Sequence, residues 1–78
     1  MEAIEVTAKF DTGGTITPLR FTWQGQEFIV DSIGRKWEDP EGLHILVMIA
    51  GGQVYELVFL LAEGRWHLGR LGIERRLA

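Results

Sequence analysis

The chain of 78 residues has no cysteine, which removes disulfides, thiolate nucleophiles, iron–sulfur clusters and every cysteine-based zinc site. Only two histidines, His44 and His67, remain for transition metals, and their separation does not match a compact ligand motif, so no zinc site is expected. A single serine, Ser32, leaves little for nucleophilic catalysis. No apolar run approaches the roughly 18 to 20 residues of a spanning helix, and the first residues are acidic where a signal peptide is basic. A cytoplasmic protein that does not enter membranes is the expectation.

The formal net charge of −3 opposes a general polyanion binder. Its distribution is uneven. Residues 1–63 carry ten acids against four bases, whereas residues 64–78 carry Arg65, Arg70, Arg75 and Arg76 against Glu74. At this length there is room for one core, giving a single domain over 1–71 and a basic tail over 72–78.

What is present is strand periodicity. Ile4, Val6, Ala8 and Phe10 alternate with polar residues, and Asp11-Thr12-Gly13-Gly14 supplies a turn. Leu19, Phe21 and Trp23 alternate next, after Pro18, and Gln24-Gly25 makes a tight turn. The phase then slips between Val30 and Ile33, which predicts a bulge near Asp31-Ser32. Leu43 to Ala50 and Gln53 to Ala62, joined by Gly51-Gly52, carry the strongest hairpin signal. Arg65 to Leu68 adds a sixth strand, and Leu71, Ile73 and Leu77 could form a helical turn. The pattern predicts an all-β domain: an antiparallel meander of five or six strands curled into a small SH3-like barrel.

The central strands are apolar on both faces. Leu43, Ile45, Val47 and Ile49 share one face and Leu46 and Met48 the other; Tyr55, Leu57, Phe59 and Leu61 are backed by Val54, Val58 and Leu60. Two-sided apolar strands need a second cover, either the rest of a strongly curled barrel or another subunit. Leu46, Met48, Val54, Val58 and Leu60 are therefore the candidate homodimer interface.

The alternative surface is cationic and aromatic. Arg20, Arg35, Lys36, Trp37, Arg65 and Arg70 interleave with rings in the way small barrels stack single-stranded bases and steer phosphates. Trp23 and Trp66 lie in phase with core residues, so Trp37, beside a charged loop, is the expected exposed ring. His44 and His67 read as surface imidazoles. Glu38, Asp39 and Glu41 read as a solvated turn, without the ligand spacing of an EF-hand. Glu56 could pair across the sheet with Arg20, Arg35 or Arg65. No catalytic residue, cofactor or metal is assigned, and the expected role is a non-enzymatic interaction module.

The order Phe21-x-Trp23-x-Gly25, then Phe28, Val30 and Trp37, then Gly52-x-x-Tyr55-Glu56-Leu57 and Trp66-x-Leu68, resembles a family of small bacterial proteins of unknown function. The resemblance covers roughly residues 18 to 71. Some members look to be encoded near DNA-damage-tolerance genes, which implies a nucleic-acid-linked accessory role. The chain departs from the family by having Gln24 and Gln26 around Gly25, where arginines are frequent. The family assigns no catalytic residues.

Overall fold

The computed structural model describes residues 2–69 together with the backbone of residues 73 and 74. Six antiparallel strands follow in chain order: β1 (Glu2–Phe10), β2 (Ile16–Trp23), β3 (Gln26–Glu38), β4 (Leu43–Ile49), β5 (Gln53–Leu60) and β6 (Arg65–Leu68). Each pairs with the next, and β6 returns to β1 through Glu2↔Leu68 and Ile4↔Trp66, so the meander closes into a small barrel. Closure removes the free edges that a six-stranded open sheet would expose. A two-residue strand, β7 (Ile73–Glu74), adds to β5 opposite Gln53 and Val54. Those two residues fall in the segment expected to make a helical turn; the rest of the basic tail lies outside the described residues. Among the described residues no helix is long and apolar enough to cross a membrane.

The core is built by the period-2 positions. Phe21, Ile45, Val47, Ile49, Tyr55, Leu57, Trp66 and Leu68 are buried and pack as one cluster, with Ile4, Val6, Ala8, Phe28, Val30 and Ile33 against it. Phe21, Phe28, Trp23 and Tyr55 form an aromatic group, with Phe21 and Phe28 stacked at 5.1 Å. Such pairs add about 0.5–1.5 kcal/mol beyond the area they bury.

The register slips at three places. The first is in β1–β2, where Thr7 faces Arg20 but Ala8 faces Pro18, so Leu19 is the extra residue. Pro18 consequently points into the core while Leu19 is exposed, the reverse of the alternation expected for Leu19, Phe21 and Trp23. The second slip skips Asp31, between Val30 and Ser32, at the predicted bulge. A third, between Ile33 and Lys36, has no counterpart in the sequence reading. Each inserted residue increases local twist and bends its strand, which lets a 13-residue β3 wrap the barrel.

The β2–β3 turn, paired through Trp23↔Gln26, places both Gln24 (φ 52°) and Gly25 (φ 74°) in the left-handed region. This is the type I′ arrangement, in which asparagine suits the first position far better than glutamine. Gln24→Asn should raise the stability of the chain by a few tenths to about 1 kcal/mol, seen as a higher melting temperature with an unchanged circular dichroism spectrum.

Candidate functional site on the outer face of strands β4 and β5

In an antiparallel meander the loops 11–15, 39–42 and 61–64 gather at one end of the barrel, at the ends of β1, β3 and β5. Exposed Phe10 and Leu61 sit at this end, and a shallow groove of 380 Å³ opens between Thr15, Ile16, Lys36, Trp37 and Leu43. Lys36 Nζ donates to the carbonyl oxygen of Ile16 at 2.9 Å, tying β3 to the start of β2.

From this end the outer face of β4 and β5 runs down the barrel as three cross-strand pairs: His44 with Val58, Leu46 with Glu56, and Met48 with Val54. Its character changes along the way. At the loop end the face is polar and sealed, whereas Leu46, Met48 and Val54 are half-buried. Of the five interface candidates, Val58 and Leu60 are buried within the single chain, at 0% and 8% exposure, so the accessible apolar part is confined to Leu46, Met48 and Val54.

The sealed end holds a buried imidazole. His44 is 6% exposed and Glu56 7% exposed, and His44 Nδ1 lies 2.5 Å from Glu56 Oε2. The surface histidine expected from parity is therefore an interior one, because the 39–42 loop folds back over it. Asp39 organises that loop. Its Oδ1 accepts the amides of Glu41 (2.9 Å) and Gly42 (3.2 Å), and its amide donates to the Gly42 carbonyl at 3.1 Å. The second carboxylate oxygen, Oδ2, is thereby aimed at His44 Nε2, 2.9 Å away, with Glu41 Oε1 at 3.8 Å. Nε2 itself is buried, and its contact with Asp39 is an ion pair when the ring is protonated. Gly42 is pressed onto β5, where a Cβ would stand 2.1 Å from the carbonyl oxygen of Phe59. At the other side the amide of Gly69 donates to the Glu56 carbonyl at 2.8 Å.

Electrostatics follow this geometry. Burial opposes a charged imidazole at His44, but the hydrogen bond to Glu56 and the nearness of Asp39 outweigh it, and His44 titrates above its ordinary 6.5. Asp39 is held below the usual carboxylate range, chiefly by His44 and further by the Gly42 and Glu41 amides. Because the folded value of His44 is raised, its contribution to stability is complete below the unfolded value and fades as pH rises through the folded one.

Trp37 stacks on the His44 ring at 5.0 Å and 12°, and the Arg35 guanidinium lies over the Trp37 ring at 5.2 Å. The ring expected to be exposed is half-buried and already has two planar neighbours. The structure brings Arg35, Lys36 and Trp37 together on β3. Arg20 is instead paired with Glu27 at 3.4 Å on the outer face of β2–β3, and Arg65 with Glu63 beside it in the β5–β6 turn. Arg70 lies outside the described residues. Glu56 meets His44, a partner the sequence reading did not consider because twelve residues and a folded-back loop lie between cause and effect. Trp66 is buried as expected, Trp23 partly so. His67 stands on β6 opposite Val58, one strand beyond the His44–Val58 pair.

The class that these features define is a closed, antiparallel six-stranded barrel with a buried His–Glu pair on its outer wall. Compared with protein-family models, curated proteins and solved structures, the chain finds no match.

Proposed function

We propose that the chain is a non-enzymatic interaction module that works as a homodimer, through the outer face of β4 and β5. The observation that carries this reading is an apolar stripe on that wall. Met48 and Val54 face each other directly, Leu46 follows on β4, and Ile29, 60% exposed, lies on the neighbouring β3. A chain of this size buries a modest fraction of its surface by itself, and a second copy would cover the stripe with the same stripe, as two-fold interfaces do. A second copy also suits the charge pattern, since Leu46, Met48, Val54 and Ile29 carry no charge and the acid opposite Leu46, Glu56, is buried against His44. An SH3-like barrel in the bacterial cytoplasm is the setting this reading supposes, with no catalytic residue assigned.

Sedimentation velocity at micromolar concentration tests it. The wild-type chain should run as a dimer, and Met48→Glu, at a half-buried outer position, should run as a monomer with an unchanged circular dichroism spectrum. A wild-type monomer across the whole concentration range would remove the proposal.

A second reading, a nucleic-acid-binding accessory domain linked to DNA damage tolerance, draws support from the grouping of Arg35, Lys36 and Trp37 at the loop end. Binding of fluorescent single-stranded DNA that falls steeply with salt and is lost in Arg35→Ala/Lys36→Ala would favour it over self-association.

A further inference from the structure

Each nitrogen of His44 faces a carboxylate from a different part of the fold. Nδ1 is committed to Glu56, which fixes the ring and leaves Nε2 as the atom facing the 39–42 loop. Nε2 is fully buried and looks between two carboxylates, Asp39 Oδ2 at 2.9 Å and Glu41 Oε1 at 3.8 Å. The side chains of Asp39 and Glu41 are 40% and 44% exposed, so the two carboxylates that cover the buried nitrogen reach solvent. These three ligand atoms lie within 4.8 Å of one another.

We propose that Asp39, Glu41 and His44 bind one divalent transition-metal ion, with Zn²⁺ the representative, and that Glu56 positions the imidazole for it. This proposal is independent of the self-association reading. Bonds of about 2.0–2.2 Å from one ion to imidazole and carboxylate ligands separate neighbouring ligand atoms by about 3.0–3.5 Å. The 2.9 Å and 3.8 Å separations from Nε2 bracket that span, and the two carboxylate oxygens lie within 4.8 Å of each other. A carboxylate holding the far nitrogen of a metal-bound histidine is the usual support for such a ligand, and Glu56 stands in that place. Two carboxylates and one imidazole suit zinc, manganese or iron(II). Calcium, which takes oxygen ligands, would leave Nε2 unused. The exposed side would be completed by water.

The acids at 39 and 41 and the histidine at 44 looked unrelated in sequence because the loop that folds them together is also a turn. Asp39 is suited to both tasks, since Oδ1 serves the loop amides while Oδ2 faces the ring.

Calorimetric titration of the full chain with ZnCl₂ near neutral pH, with CaCl₂ as the parallel arm, tests the proposal, and the ¹⁵N resonances of both histidine rings report where the ion goes. Saturable binding of one Zn²⁺ per chain is expected, with the His44 Nε2 resonance shifted, His67 unmoved and no calcium binding. Glu41→Gln, at an exposed position, and Asp39→Asn, which keeps the loop-accepting oxygen, should each weaken binding at least about tenfold, and Glu56→Gln by about tenfold through the ring's orientation. Three results would overturn the proposal: no saturable Zn²⁺ binding, an affinity unchanged in Glu41→Gln and Asp39→Asn, or a response confined to His67.

Discussion

Alanine at position 42 should destabilise the barrel by about 3 kcal/mol or more, the upper end of what forced overpacking costs. The added Cβ would stand 2.1 Å from the Phe59 carbonyl oxygen and 2.9 Å from its carbon, both backbone atoms of the strand that anchors the core. Neither can retreat without disturbing the β4–β5 ladder, in which Leu43 is paired with Phe59. Urea unfolding measures the cost, and loss of the Trp37–His44 stack, read from Trp37 fluorescence, reports displacement of the loop. Gly51→Ala provides the contrast. Its φ of 96° is unfavourable for alanine, but no atom lies within 4 Å of the new Cβ, so about 1 kcal/mol is expected. If the two variants cost the same, close packing of Gly42 is not what holds the loop.

The second large effect is expected at the buried pair. Glu56→Ala leaves His44 Nδ1 without its 2.5 Å partner in a site 6% exposed and should cost about 3 kcal/mol, as breaking a buried pair does. Replacing both residues by leucine should recover much of that loss, because an apolar pair of similar volume has no desolvation to offset. The cost of Glu56→Ala should be larger at pH 6 than at pH 9. The folded wild type holds His44 charged to a higher pH than the unfolded chain does, chiefly against burial and through Glu56 and Asp39. Denaturant midpoints of wild type and variant at the two pH values check the sign. An equal cost at both would show that the pair acts as a neutral hydrogen bond only.

Both effects arise on a wall that strand alternation describes only in part. Alternation correctly sends Ile45, Val47, Tyr55 and Leu57 inward, and it marks His44 and Glu56 as outward-facing. Outward suggests exposed for His44. A small barrel breaks that link when a loop folds over its wall, and Gly42 is the residue that lets the 39–42 loop lie flat on β5. Leu19 illustrates a different limit. Its phase with Phe21 and Trp23 is perfect in sequence, yet one inserted residue opposite Thr7 and Ala8 exchanges it with Pro18. The bulge at Asp31 was legible because apolar residues change parity across it. The slip between Ile33 and Lys36 was not, because Gly34, Arg35 and Lys36 offer no apolar parity to read.

The order of polar and apolar residues and the placement of turn formers by themselves determined that this chain is a β-meander with one core, since period-2 burial is a local property of each strand. Pairing between β6 and β1, the inward turn of Pro18, and the meeting of His44 with Glu56, Asp39 and Glu41 were decided by tertiary structure alone. Each depends on how far a closed sheet bends and on which loop lies over which strand. Those are distances through space, which spacing along a chain does not encode.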